Sequence, residues 1–191
     1  QKASTAFGGS NISGDPNGNQ TENAFTAVFG EQNKVFGRSS TAFGKQNTIE
    51  NVDSKEQIQA TIVGGLGNIV QAMRSVVIGT SITALGNIYC IAAFGIGHNI
   101  KSGLTFVTGE GNTLSGYGSA AIGSYLQTNA NYQVVVGSMN GANDKAQFIV
   151  GGGDGTVGRR NLFEVLKDGR SRVRTAPKEE TDVVRKKELD N

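Results

Sequence analysis

The pentapeptide Ser75-Val76-Val77-Ile78-Gly79 is one copy of a motif, a short apolar run closed by glycine, that returns along most of the chain. STAFG at 40–44 and SAAIG at 119–123 are close copies. With the closing glycine as anchor, the copies end at Gly8, Gly30, Gly44, Gly64, Gly79, Gly95, Gly109, Gly123, Gly137 and Gly151. Five of the nine intervals are 14 residues. Such a period predicts a solenoid, because each unit is too small to bury its own apolar face and must stack on its neighbours.

The two residues before each anchor indicate a strand that is apolar on both faces. The residue two before the anchor is apolar in all ten copies, and the residue one before it is apolar in nine, Thr108 being the exception. Side chains alternate along a strand, so one position closes the coil and the other needs a second layer. No other part of this chain extends along ten units, so we expect a second copy of the chain to supply that layer.

The residues after the anchor indicate corners. Asn recurs three residues after it, at Asn11, Asn33, Asn47, Asn112 and Asn140, and an apolar residue often follows two later, as in Val35, Ile49, Ile69, Ile100 and Leu114. Gly and Asn tolerate positive φ, which suits them to sharp turns. The pattern therefore predicts that each unit forms a strand, a corner, a second strand and a second corner. It predicts that the whole chain is an all-β parallel β-roll of about ten turns.

Charge divides the chain unevenly. Residues 1–158 carry 8 Lys/Arg and 9 Asp/Glu, whereas 159–191 carry 10 and 7, which predicts a boundary near Gly158. The expected division is a β-roll head over 1–158, a β-hairpin and neck over 159–180, and the start of a coiled-coil helix over 181–191. The net charge of +2 favours neither nucleic acid nor an acidic membrane surface. No apolar run approaches the roughly 20 residues of a membrane span, so we expect no membrane insertion in this segment and see no signal peptide.

The carboxy-terminal pattern predicts a hairpin and then a helix. Asn161 to Leu166 has strand composition, Asp168-Gly169 marks a turn, and 171–174 is a return strand. Pro177 ends the strand, and Thr181 is suited to cap a helix that continues to the end of the chain.

Two units carry inserted residues, within 14–22 and within 50–57. Insertions in a solenoid form loops on its surface, often on the face used for recognition, although a tolerated bulge is the simpler alternative. The candidate receptor-binding residues are Asp15, Asn17, Asn19, Glu22, Asn51, Asp53, Lys55 and Glu56.

Residues with catalytic or ligand-binding chemistry are sparse. A single His and a single Cys exclude a His cluster and a thiolate-rich metal site, and no phosphate loop is present, so we expect neither enzyme activity nor a cofactor. His98 stands where other units have Asn, which predicts a structural corner residue, and Cys90 is expected to be a plain buried thiol. The tyrosines are expected to pack between chains, with stacking on sugars as the alternative: Tyr89, Tyr117, Tyr125 and Tyr132.

The SVVIG, SAAIG and STAFG cores resemble the heads of YadA-like trimeric adhesins over roughly residues 3 to 158. That resemblance implies a left-handed parallel β-roll assembled as a homotrimer. The end of the chain is similar to the neck of that family through Arg172-Val173, Thr181-Asp182-Val183-Val184 and Glu188-Leu189. Pro177 departs from the neck pattern, which usually contains glycine there, and the hairpin is absent from the simplest heads. The stretches LFEVLKDGR and TDVVRKKELDN look more like those of bacteriophage tail fibres.

The resemblance therefore implies a structural and receptor-binding segment of a trimeric fibre. We expect a phage tail fibre on the virion that attaches to a glycan or protein on the bacterial host; the alternative is the head of a trimeric autotransporter adhesin on a bacterial surface. The residues expected at the trimer interface are Ala6, Ala42, Val77, Ala93, Ala121, Val183, Val184 and Leu189.

Overall fold

The computed structural model describes residues 4–13, 26–36, 39–50 and 61–174, without the side chains of Ser4 and Asn87. It is an all-β parallel solenoid of about eight turns, and the described residues contain no helix. The strands are β1 (Ser4–Phe7), β2 (Ile12–Ser13), β3 (Thr26–Glu31), β4 (Lys34–Val35), β5 (Thr41–Lys45), β6 (Thr48–Ile49), β7 (Ile62–Leu66), β8 (Ile69–Met73), β9 (Val76–Thr80), β10 (Thr83–Tyr89), β11 (Ile91–Ile96), β12 (Asn99–Ile100), β13 (Thr105–Glu110), β14 (Thr113–Leu114), β15 (Ala120–Ser124), β16 (Gln127–Thr128), β17 (Val134–Ser138), β18 (Ala146–Gly152), β19 (Asn161–Leu166) and β20 (Ser171–Val173).

These strands form two sheets. The long sheet has twelve strands in the order β1-β3-β5-β7-β9-β11-β13-β15-β17-β18-β19-β20, and the short sheet has the eight even-numbered strands from β2 to β16. Each turn gives one strand to each sheet, and the chain pairs in parallel as far as β18. The prediction of about ten turns is wrong, because the short sheet ends at β16 and the last two repeats extend only the long sheet.

The register corrects one anchor. Gly44 lies opposite Gly65, and Gly65 lies opposite Gly79, so the anchor of this turn is Gly65 and not Gly64. Asn68 then takes the position three residues after the anchor, and Val70 the position five after it. Val70 is fully buried whereas Ile69, the residue chosen from the sequence, is exposed.

The core lies between the two sheets and is one side chain deep on each side. The inner row of the long sheet, two residues before each anchor, is fully buried from Val28 onward. It contains Val28, Ala42, Val63, Val77, Ala93, Val107, Ala121, Val135 and Ile149. The short sheet packs Val35, Ile49, Val70, Ala84, Ile100 and Leu114 against it. The small side chains of the inner row suit a coil whose two walls stand close together.

The corner after each anchor, here called the tight corner, is closed by a left-handed residue followed by a buried side chain. The left-handed residue comes two after the anchor, at Ser10, Gln32, Gln46, Gly67, Ser81, Gly97, Gly111, Tyr125 and Met139. The Asn that follows it was predicted to adopt positive φ, and that prediction is wrong. The role of this Asn is to supply hydrogen bonds inside the coil.

These asparagines form a ladder from turn to turn. The Asn33 side chain donates to the carbonyls of Phe29 at 3.1 Å and Gly44 at 2.8 Å, and its Oδ1 accepts from the Asn47 backbone N–H at 3.0 Å. Asn47 and Asn68 repeat the pattern. The ladder satisfies polar backbone groups that the sharp corner would otherwise leave buried without partners.

Asn140 ends the short sheet. Its side-chain oxygen accepts from the Gln127 backbone N–H at 2.7 Å, and its side-chain nitrogen donates to the Gln127 carbonyl at 3.0 Å. The amide thus takes the place of a neighbouring strand on β16. On the long sheet, β19 pairs antiparallel with β18 and returns as β20, so the predicted hairpin is present. The predicted helix from 181 lies outside the described residues, and the division at 158 stays a prediction.

Candidate functional site

The edge opposite the tight corner, here called the loop edge, is where each short-sheet strand passes to the next long-sheet strand. Among the turns that the structure describes, the chain leaves for each insertion, and returns from it, at this edge. The first insertion leaves after Ser13 and returns at Thr26, and the second leaves after Glu50 and returns at Thr61. A third, of two residues, is the irregularity in register between Ala84 and Ile88 of β10.

The insertions alternate with regular turns, since they belong to the first, third and fifth. Their attachment points therefore lie along one side of the solenoid, about two strand spacings or roughly 10 Å apart. The tight corner, by contrast, keeps one length and one backbone conformation throughout the described turns. The eight receptor-binding candidates, from Asp15 to Glu22 and from Asn51 to Glu56, lie outside the described residues, so their role stays a prediction.

Three tyrosines line the same edge further along. The rings of Tyr89 and Tyr117 pack edge to face with centroids 6.5 Å apart, and those of Tyr117 and Tyr132 do so at 6.1 Å. We call these three residues the tyrosine cluster. The Tyr89 and Tyr117 hydroxyls lie 3.5 Å apart, and this hydrogen bond raises the pKa of Tyr117 to about 12.

Tyr125 lies on the opposite side, at the tight corner. Its hydroxyl donates to the Glu110 carboxylate at 2.7 Å, and this bond raises the pKa of Tyr125. Its ring lies against Gly111, where a side chain would not fit. The four tyrosines, which were considered together in the sequence, therefore lie in two places: three at the loop edge and Tyr125 at the tight corner.

The outer face of the long sheet carries a second apolar surface. The residue one before each anchor points outward there, and Phe7, Phe29 and Phe43 stack along this row with centroids 5.5 and 5.3 Å apart. Residues three before the anchor, including Ile62, Phe106 and Val134, add a parallel exposed row. The large exposed members of the first row are Phe7, Phe43, Ile78, Phe94 and Ile122.

This arrangement places most of the residues predicted for the interface inside the coil. Ala42, Val77, Ala93 and Ala121 are 0% exposed within a single chain, so they cannot contact another copy, and that prediction is wrong. Ala6 belongs to the same row, in register with Val28, and is exposed in β1, the end strand of the long sheet. Val183, Val184 and Leu189 lie outside the described residues. Alternation along the strand gives the outward position to the large residues beside the alanines.

The outward face of the short sheet differs from the apolar outer face of the long sheet. Its outward row holds mainly polar residues, and only Ile12 and Ile69 are apolar. The row reads Ile12, Lys34, Thr48, Ile69, Thr83, Asn99, Thr113 and Gln127. The polar outward row of the short sheet is compatible with solvent, whereas the apolar outer face of the long sheet is the one that a further layer would cover favourably.

His98 occupies the Asn position of the ladder, as predicted, and is 1% exposed. Its Nε2–H donates to the Phe94 carbonyl at 3.0 Å, and its Nδ1 accepts from the Asn112 N–H at 3.3 Å. Burial lowers the pKa of His98, more than the bond to Phe94 raises it. A second ring proton would also point at an N–H donor, so the neutral imidazole is the folded form.

His98→Asn should remove a pH dependence of stability. Because the folded pKa lies below the ordinary value of about 6.5, His98 destabilises the fold as pH falls from about 6.5 towards the lowered folded pKa, by at most about 1.4 kcal/mol per pH unit. Asn fits this position, as Asn112 does one turn later, and has no proton to bind. Urea unfolding at pH 7.5, 6.5 and 5.5 should show a shallower fall in His98→Asn. An equally steep fall in both proteins would contradict this account.

Groups able to perform other chemistry are not assembled in the part of the chain that the structure describes. It contains no cluster of three His, Cys, Asp or Glu that could hold a metal ion. Cys90 is half-buried and left-handed, with φ of 58°, so its prediction as a plain buried thiol is only partly correct. The Asp154 carboxylate accepts hydrogen bonds from the backbone N–H groups of Thr156 and Val157, both at 2.7 Å. The glycine-rich stretch 151–155 therefore leads into a turn that this carboxylate stabilises.

The part of the chain that the structure describes contains no helix long and apolar enough to cross a membrane. A scan against protein-family models, a search of curated proteins and a search of solved structures each found no match to this chain. The resemblance to YadA-like heads and phage fibres therefore depends on the quoted motifs alone, and what is established is the fold, an all-β parallel solenoid with 14-residue spacing.

Proposed function

We propose that this chain is a rigid structural and receptor-binding segment of a homotrimeric fibre. The observation that supports this most directly is the separation of its surfaces. The outer face of the long sheet is apolar, the short sheet is mostly polar, and all inserted residues leave from the loop edge. In this proposal the outer face holds three copies together, and the loop edge presents the residues that recognise a host.

Two kinds of fibre are compatible with these surfaces, and we favour the first. A phage tail fibre that attaches the virion to a glycan or protein on the bacterial surface fits the resemblance of LFEVLKDGR and TDVVRKKELDN. The head of a bacterial adhesin that binds matrix or cell-surface ligands would use the same two surfaces. Neither role needs a cofactor or a catalytic step, and we propose none.

Shortening both inserted loops should abolish attachment while leaving the solenoid intact. The change removes 14–21 and 51–57, which restores 14-residue spacing from Gly8 to Gly30 and from Gly44 to Gly65, beside turns that already pack without insertions. Circular dichroism and light scattering should therefore match the unmodified protein, whereas binding of the labelled protein to host cells should fall to background. A control that shortens neither loop but carries His98→Asn should bind normally. Undiminished attachment of the shortened protein would contradict recognition through these loops.

A further inference from the structure

The tyrosine cluster lies on a surface where core packing does not account for it. Tyr132 is 63% exposed and Tyr89 43% exposed, and neither belongs to the buried core. Tyrosine exposed in this way has an apolar ring for contact and a hydroxyl that can donate or accept. Because it loses little side-chain entropy on binding, it is an effective recognition residue.

The backbone holds the cluster rigidly. Leu104 N–H donates to the Tyr89 carbonyl at 2.9 Å, and Tyr132 N–H donates to the Tyr117 carbonyl at 2.7 Å. Glycine stands between the rings, at Gly103 beside the Tyr89 backbone and at Gly118 against the Tyr132 ring, where an added Cβ would be too close. The three rings are thus placed by a regular stack of turns and need no partner to order them.

Several residues beside the cluster adopt a conformation that glycine would adopt more easily. Arg74, Cys90, Leu104 and Tyr132 all have φ between 52° and 58°. Gly118, with φ of 67°, stands between Leu104 and Tyr132 in the same row. A left-handed residue other than glycine costs about 1 kcal/mol or more. Three of these residues, Arg74, Cys90 and Leu104, line a shallow depression together with Gly118. Its other side is formed by residues of the long sheet, among them Val76, Ala92 and Phe106.

The charge beside the cluster is positive. Between residues 61 and 133 the only acidic residue is Glu110, which lies at the tight corner and bonds to Tyr125. Arg74 and Lys101, both exposed, are the only Lys or Arg residues in that span, and both lie on the loop edge. Arg74 follows Met73, which is in register with Tyr89. Guanidinium groups bind carboxylates and phosphates in a bidentate manner.

We propose that the tyrosine cluster and Arg74 bind a short acidic oligosaccharide of the receptor, an inference that rests on the proposed attachment function and names its ligand. The C–H face of a sugar ring complements the electron-rich face of tyrosine, and sugar hydroxyls pair with the phenols. Arg74 holds the carboxylate or phosphate that the sugar carries. This site is separate from the inserted loops and lies further along the same edge.

The chain offers a matched pair of variants for the test. Tyr132→Ser places serine at a left-handed position that Ser39 occupies in an earlier turn, and Tyr125→Ser does the same at the tight corner, where Ser10 and Ser81 occur. Both changes remove an exposed tyrosine from the same kind of backbone. Only Tyr132 belongs to the cluster, so Tyr125→Ser controls for general effects on folding and assembly.

The binding assay uses the intact protein. A glycan array of bacterial surface oligosaccharides, neutral, uronic-acid-containing and phosphorylated, identifies the probe, and titration of the best-bound one is followed by tyrosine fluorescence. With no Trp and four Tyr in the chain, the signal comes mainly from the cluster. We expect acidic probes to bind, Tyr132→Ser and Arg74→Ser each to weaken binding at least tenfold, and Tyr125→Ser to leave it unchanged. The uronic-acid and phosphorylated arms show which acid is recognised.

Three results would overturn the inference. If no acidic oligosaccharide binds while host-cell attachment is intact, the receptor is not an acidic glycan, although the proposed function stands. If Tyr132→Ser and Tyr125→Ser weaken binding equally, the cluster is not the site. If Tyr132→Ser changes the mass in light scattering, the cluster packs between chains. Loss of attachment and of glycan binding in the unmodified protein would instead reject the proposed function.

Discussion

Gly109→Ala should destabilise the protein by on the order of 3 kcal/mol or more, because two independent constraints meet at this residue. Gly109 has φ of 111°, which side chains with a Cβ rarely adopt. A Cβ built there would also lie far inside van der Waals contact with the carbonyl oxygen of Gly123, the anchor of the next turn. That oxygen is backbone in a paired strand and cannot move without breaking the sheet register.

The matched control is Gly97→Ser. Gly97 has φ of 65°, but a Cβ there would have no neighbour within 4 Å, and Ser10 and Ser81 occupy equivalent positions in other turns. The cost should be limited to the backbone conformation, about 1 kcal/mol. Thermal unfolding followed by circular dichroism should show a fall in Tm of roughly 10 °C for Gly109→Ala and a few degrees for Gly97→Ser. Equal shifts for the two variants would show that close approach of the anchors is not the cause.

The anchors show how far sequence reasoning could go. Their period was enough to predict a parallel solenoid, because repetition of a strand-length apolar run has few other solutions. The reason for glycine was not visible. We expected glycine at corners, whereas the anchors of successive turns lie within paired strands, so closely that a side chain has no room. Such a requirement comes from residues 14 positions apart, and only a turn-by-turn register reveals it.

The orientation of the strands was the main error. Both positions before the anchor are apolar, so alternation alone could not tell which one pointed inward. We expected the small residues of this row, such as Ala93, at the interface between chains. The structure places Ala93 inside the narrow coil and Phe94 outside. The difference in side-chain size between the two positions could have indicated the orientation. A coil only two side chains thick accommodates Ala and Val in its interior better than a row of Phe and Ile.

The loop edge was partly predictable. Interval lengths located the two insertions in sequence. The tyrosines were expected to pack between chains, with stacking on sugars as the alternative. The sequence could not show that the insertions and the tyrosines share one edge. Which edge a residue lies on depends on how the strands of successive turns pair. The true anchor Gly65, the two-residue irregularity after Ala84 and the left-handed Tyr132 all become meaningful only once the turns are aligned.

The outer face allows a sharp test of assembly. Unmodified protein should scatter light as three times 19.9 kDa, since the apolar rows are exposed in a single chain and trimer formation would bury them. Ile78→Lys combined with Ile122→Lys should abolish the trimer. Both side chains are close to half exposed in one chain, at 48% and 45%, so the lysines would cost a single chain little. In the trimer each ammonium would be buried without a partner, at a cost of several kcal/mol apiece.

The control for this pair is Ile69→Lys, which changes an isoleucine of similar exposure, 42%, on the outward row of the short sheet. Because that sheet is mostly polar, a further lysine there should leave the mass at three times 19.9 kDa. The double variant should instead scatter as a single chain or unfold, since a coil with so thin a core gains much of its stability from its neighbours. A stable trimer of the double variant would exclude the outer face as the interface. Loss of the trimer in Ile69→Lys as well would assign assembly to both sheets.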